Sequence, residues 1–209
     1  MTLPEILEQF FEGLKQTTFL EFIAVIAGII SVWFSRKENI LVYPVGLINT
    51  IIYIYLSLKG HLFGEASVNL YYTIVSFYGW WLWSRKDQQK HTIVIIKNST
   101  GRELVYQFAF FGLFYVAIYF ALNYLKENFA EGAIPAADAF ASATAYTAMW
   151  LMAKKKVESW YWWIATNITS IPLYFVKGYV FTSFQFLVLL ILAVAGLLSW
   201  KQKARYARG

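Results

Sequence analysis

"YPVGLINTIIYIYLSLKG", residues 43–60, and "YWWIATNITSIPLYFVKG", residues 161–178, are two greasy stretches of equal length that share their landmarks. Sliding the chain against itself by 118 positions pairs Tyr43 with Tyr161, Asn49 with Asn167 and Lys59-Gly60 with Lys177-Gly178. The match extends outward on both sides, to Lys37 with Lys155 and Phe63 with Phe181. One residue of slip later, "GWWLW" (79–83) lies over "GLLSW" (196–200), pairing Gly79 with Gly196 and Trp83 with Trp200. Identity is low, but the order of apolar segments and loops is the same in both halves, which is how an internal repeat is recognised.

Each stretch is also long enough, as a helix, to cross a hydrocarbon core of roughly 30 Å. The chain of 209 residues is 59% hydrophobic and only 14% charged, well below the quarter that soluble domains carry. Apolar segments recur near 19–34, 40–58, 66–83, 104–125, 135–153, 157–176 and 182–200, which predicts an all-α integral membrane protein with seven transmembrane helices. The opening "MTLPEILEQFFEGLKQ" gathers Leu3, Ile6, Leu7, Phe10, Phe11 and Leu14 on one side and reads as a short interfacial helix. Cysteine is absent, which excludes disulfides and thiolate metal sites.

The net charge of +6 does not point to nucleic acid, because the basic residues sit between spans. Fourteen of them fall on one side of a seven-span chain: Arg36, Lys37, Arg85, Lys86, Lys90, Lys97, Arg102, Lys154, Lys155, Lys156, Lys201, Lys203, Arg205 and Arg208. The other side holds only Lys15, Lys59, Lys126 and Lys177. The positive-inside rule then places the N-terminus outside and the C-terminus in the cytoplasm.

Three crossings reverse a chain, so a fourth must intervene before a second unit can run parallel to the first. The expected organisation is an interfacial segment (1–18), a first three-helix repeat (19–86), a loop, linker helix and outer loop (87–134), a second repeat (135–204) and a basic tail (205–209). Parallel repeats of this 3+1+3 kind, related by an axis along the membrane normal, are a transporter architecture with substrate at the repeat interface near the midplane.

Polar groups at membrane depth are functional candidates, since each needs a partner or a cavity. At 100° per residue, Trp160, Trp163, Asn167, Ser170 and Tyr174 form one stripe of the sixth span. Span three offers Asn69, Tyr72, Ser76 and Trp80, span two Gly46, Asn49 and Tyr53, and span seven Gln185. Amides and hydroxyls can bind a polar edge without a charge to desolvate. Asparagines also hold transmembrane helices to one another, for about 1 kcal/mol each. Pro172 and Pro44 are possible hinges or static kinks. Glu21 and Asp138 stand early in spans one and five, where helix N-termini favour carboxylates, so capping is their expected role. His61 and His91 fall in loops.

An intramembrane enzyme needs paired acids, a nucleophile with a base, or metal ligands at depth, and the chain shows neither an H-E-x-x-H motif nor a deep acid pair. No catalytic residue, metal or cofactor is expected. A non-transporting structural or receptor-like subunit remains the alternative from a different class.

The segments "YPVGLINTIIYIYLSLKGHLFGEASVNLYYTIVSFYGWWLWSRK" and "VESWYWWIATNITSIPLYFVKG" resemble the PnuC family of bacterial vitamin transporters. Its most specific piece is W-x-x-W-x-x-x-N, met by Trp160, Trp163 and Asn167, with "GLIN" and "YGWWLWSR" in support. The resemblance implies a SWEET-like 3+1+3 fold, a homotrimer in the bacterial inner membrane, and facilitated diffusion of nicotinamide riboside trapped by a cytoplasmic kinase. It carries Trp160, Trp163 and Asn167 over as binding residues. Where many such transporters have "LLQ" in span three this chain has "SVN", giving Asn69, so thiamine or riboflavin remain alternative substrates.

Overall fold

The computed structural model describes residues 3–59, 63–89, 91–129 and 133–206. Gly60, His61, Lys90 and Arg208, which entered the reading above, lie outside them. Eight helices follow in order: α1 (Leu3–Gln16), α2 (Phe19–Arg36), α3 (Val42–Lys59), α4 (Phe63–Ser84), α5 (Gly101–Phe129), α6 (Pro135–Ala153), α7 (Ser159–Val176) and α8 (Val180–Tyr206). The eighth element is the amphipathic α1, whose Phe10 ring packs on Phe181 and Phe184 of α8 at 5.6 and 5.4 Å.

Local chemistry sets the helix starts. Thr18 caps α2 by accepting from the Glu21 amide at 3.2 Å. A capping box opens α5: the Thr100 amide donates to the Glu103 carboxylate at 2.8 Å, and the Glu103 amide donates to Thr100 Oγ1 at 3.3 Å. Pro135 pre-sets the first turn of α6, where Asp138 accepts from the Ile134 amide at 2.6 Å. The capping expected of Asp138 is present, and the same carboxylate also pairs with Lys177 at 2.7 Å.

Among the described residues, four helices are long and apolar enough to cross a membrane: α2, α3, α5 and α8. The other three long helices carry more polar residues, such as Asn69, Thr73 and Ser76 in α4 and Thr166, Asn167, Thr169 and Ser170 in α7. Most of the candidate binding residues lie on α4 and α7, and none lies on α6.

Neighbouring helices close a ring: α2 packs on α3, α3 on α4, α4 on α6, α6 on α7, α7 on α8 and α8 back on α2. Helix α5 packs on α6 outside this ring, and α1 on α8. Two crossed hydrogen bonds tie one end together. Trp83 Nε1 of α4 donates to Ala153 O at the end of α6 (3.0 Å), and Trp200 Nε1 of α8 donates to Ser35 O at the end of α2 (3.1 Å). Beside them Ser35 Oγ donates to Met152 Sδ at 2.9 Å, and Lys155 Nζ pairs with Glu38 at 2.8 Å. Glu38 and Lys155 both adopt positive φ, 61° and 52°.

This packing corrects the register read from the sequence. Tyr43 lies against Gly79 and meets Trp83 edge-on (5.2 Å, 85°); Trp160 lies against Gly196 and meets Trp200 edge-on (5.6 Å, 89°). Both bulky rings are at most 2% exposed. The counterpart of Tyr43 is therefore Trp160, at a shift of 117 rather than 118, and exposed Tyr161 is not. Identities such as Asn49 with Asn167 favoured 118, but burial and close approach decide which residues are equivalent. At 117, Asn49 corresponds to Thr166 and Asn167 to Thr50.

Candidate functional site

The corrected register separates the two asparagines. Asn49 is half-buried and donates Nδ2 to Ala24 O of α2 at 2.7 Å. Its counterpart Thr166 does the same work in the other half, donating to Thr144 Oγ1 of α6 at 2.9 Å. Both residues fasten neighbouring helices, as polar side chains in apolar bundles do. Asn167, one residue and 100° further round α7, is only 3% exposed and makes no hydrogen bond among the described residues. Its counterpart Thr50 is engaged by Thr73 at 2.9 Å. The amide is not sealed, unlike the unpartnered Tyr43 Oη and Trp160 Nε1, so it keeps open space in which to meet a partner.

The surroundings of Asn167 follow from helical spacing. Trp163, one turn earlier on α7, is half-buried, with its ring 6.3 Å from Tyr72 of α4. Tyr72 in turn meets Tyr146 of α6 edge-on at 6.2 Å. One turn from Tyr72 lies Ser76, and one turn from Asn167 lies Ser170; they are 3% and 2% exposed. Neither hydroxyl is hydrogen-bonded among the described residues. Gln185 and Tyr53 are half-buried and likewise without a hydrogen bond among those residues. Amides, hydroxyls and a phenol are thus left unpaired on α3, α4, α7 and α8.

Other expected site residues are committed elsewhere. Trp160 is 1% exposed in the core with Trp200, Tyr43 and Trp83, and its Nε1 is sealed without a partner. Asn69 donates to Glu65 O of its own helix at 2.9 Å. Tyr53 lies in the electrostatic neighbourhood of Glu21, Glu65 and Tyr174, toward the end of the bundle opposite the crossed tryptophans. Two surface grooves open at the tryptophan end, along Leu198, Lys201 and Arg205 and along Leu82, Lys97 and Lys156; neither contains a candidate residue.

Sequence reasoning missed Tyr71, Tyr146 and Glu65. Tyr71 Oη donates to Tyr146 O at 3.0 Å, and the two rings lie 4.4 Å apart, joining α4 to α6 beside Tyr72. Neither falls on a stripe with an obvious amide, so nothing in spacing alone marked them. Glu65 stands four residues before Asn69 and seven before Tyr72, which extends the α4 stripe by one turn. It fell one residue outside the expected span.

Electrostatics concentrate at the other end. Burial alone would raise the Glu38 carboxyl, but hydrogen bonds from Lys155 and Lys203 outweigh it and hold the group below its ordinary value of 4.5. Lys154 is lowered by burial and by the neighbouring Lys156. Among the described residues no cluster of three His, Cys, Asp or Glu could hold a metal.

Comparison with known proteins identifies the family. A family model described as nicotinamide mononucleotide transporter matches residues 18–202. The chain belongs to that family. The nicotinamide riboside transporter PnuC of Escherichia coli (strain K12) is 24% identical over 208 residues, covering 90% of this chain and 87% of that protein. The riboflavin/roseoflavin transporter RibM of Streptomyces davaonensis is 26% identical over 184 residues, covering 86% and 83%. A crystal structure of the vitamin B3 transporter PnuC superposes with a TM-score of 0.71 over 99% of this chain and 94% of that one, at 24% identity, and shows a shared fold. The chain is thus a multi-pass helical membrane protein of a transporter family.

Proposed function

We propose that this protein carries nicotinamide riboside across the bacterial inner membrane by facilitated diffusion. The observation that carries the reading is Asn167: a carboxamide 3% exposed, without a hydrogen bond among the described residues, one turn from Trp163 on α7. The indole offers a face to a cationic pyridinium ring, an attraction of about 0.5–2 kcal/mol. Asn167, Ser76, Ser170, Tyr72 and Gln185 offer donors and acceptors to its carboxamide and ribose. Trp160 supports Trp163 from the core, while Asn49 fastens α3 to α2 and Asn69 bonds within α4. Names in the family mention both nucleotide and nucleoside. No candidate residue is cationic, and a phosphate monoester calls for Arg or Lys, which favours the nucleoside.

The chain crosses seven times in a 3+1+3 order, α2–α4 and α6–α8 forming the repeats and α5 the linker. The crossed Trp83 and Trp200 bonds support that pairing. The excess of Lys and Arg at that end puts it in the cytoplasm, with the N-terminus outside. The working unit is a homotrimer, and a cytoplasmic kinase traps the product; the sequence places no carboxylate deep in a span to couple an ion. The relative that carries riboflavin supports a second reading with the same mechanism.

Calorimetry of nicotinamide riboside, thiamine and riboflavin with the purified protein, repeated with Asn167→Ala and Trp163→Ala, tests the proposal. Nicotinamide riboside should bind most tightly and both variants should weaken it. Tight binding of riboflavin or thiamine alone, or unchanged affinity in both variants, would overturn it.

A further inference from the structure

Glu65 stands in the first turn of α4 at the head of the stripe that continues through Asn69, Tyr72 and Ser76. Its side chain is exposed and forms neither an ion pair nor a hydrogen bond among the described residues, while its backbone carbonyl receives Asn69 Nδ2 at 2.9 Å. The charges around it are unequal. Its electrostatic neighbours are Lys177 and Asp138, but Lys177 is already bound to both Asp138 oxygens at 2.7 and 2.8 Å. The pair largely cancels itself. Glu65 also lies within electrostatic reach of Tyr53 on α3 and Tyr174 on α7. Below it, the buried, unpaired Ser76 hydroxyl and Asn167 amide mark where a ligand would come to rest.

We propose that Glu65 is a specificity residue: an unpaired carboxylate at the outer mouth that favours entry of cationic over neutral heteroaromatic substrates. This rests on the transport reading above and adds the charge class of the substrate. A lone carboxylate at a low-dielectric mouth raises the local concentration of a cation and its rate of entry, and does nothing for a neutral molecule of the same shape. The Asp138–Lys177 pair helps by engaging the ammonium that acts on Glu65, so this ammonium does not pair with the Glu65 carboxylate. The pyridinium of nicotinamide riboside then passes from carboxylate to aromatic faces without meeting a fixed positive charge on the α4 stripe.

The test compares nicotinamide riboside with its uncharged dihydro form, which keeps the carboxamide and ribose. Uptake by proteoliposomes containing wild type, Glu65→Gln and Glu65→Asp is measured at low and high salt. Glu65→Gln should raise KM for the cation about three- to tenfold at low salt, with kcat nearly unchanged. The neutral form should be unaffected, Glu65→Asp should retain the cation preference, and high salt should shrink the difference. Equal changes for both forms, or none for the cation, would overturn the role of Glu65 while leaving transport intact. A wild type that takes up neither form, nor binds the cation, removes the transport reading and this inference with it.

Discussion

Replacing Glu38 with glutamine strands the Lys155 ammonium, and the consequence can be worked from the surroundings of each partner. The Lys155 side chain is 4% exposed, and Glu38 is the anion it reaches, at 2.8 Å. Its other close contact is the Trp83 ring, 4.6 Å away. Removing one member of a buried pair costs about 3–5 kcal/mol, because the remaining charge is uncompensated. Glu38 is better placed to lose its partner. It is 25% exposed and keeps Lys203 at 3.0 Å, so Lys155→Met, which fills the same slot beside Trp83, should cost about 1 kcal/mol. The double variant Glu38→Gln/Lys155→Met should recover most of the loss, since no buried charge remains. Thermal unfolding of the purified protein in detergent reads the order: Glu38→Gln lowest, Lys155→Met near wild type, the double variant between them and closer to Lys155→Met. A double variant as unstable as Glu38→Gln, or Lys155→Met as damaging, would refute the reasoning.

The same carboxyl predicts a pH dependence. Its folded value lies below 4.5, so its stabilisation is complete above that pH and is lost as pH falls through the folded value; melting curves from pH 7 to pH 3 should show a loss that Glu38→Gln lacks. A methyl at Gly196 would meet Trp160 ring carbons at 2.5–2.6 Å, so Gly196→Ala should destabilise by about 1–3 kcal/mol. Gly112→Ala, with nothing within 4 Å, should be neutral or slightly stabilising in the same melts. Asn49→Ala should lower stability by about 1 kcal/mol while the folded protein keeps its substrate affinity. Asn167→Ala should leave melting unchanged and weaken binding roughly 5- to 100-fold by calorimetry.

Much of the helical plan was legible because apolar length is a one-dimensional signal. Expected segment 135–153 coincides with α6, and the others differ from their helices by a few residues, mostly in polar end turns such as Lys201–Tyr206 of α8. The amphipathic α1 was readable for the same reason, its apolar residues repeating at helical spacing. The internal register was less legible. Sequence identity weighs a surface Tyr161 as heavily as a core Trp160, whereas packing recognises size and burial. That shift of one residue turned two apparently equivalent asparagines into one helix fastener and one free amide. Tyr146 was hidden because its importance comes from Tyr71 and Tyr72 on another helix, a contact that no periodicity along α6 encodes.

The crossed tryptophans have a consequence for the symmetry of the bundle. Trp83 reaches from α4 to the end of α6, and Trp200 reaches from α8 to the end of α2. Neither indole bonds within its own half. An isologous dimer of one three-helix protein makes this same exchange, each copy lending its terminal tryptophan to the other through a two-fold axis. One half carries Gly46 and Thr50 where the other carries Trp163 and Asn167, so the two sides of the shared seam are fastened alike while differing in the groups they offer.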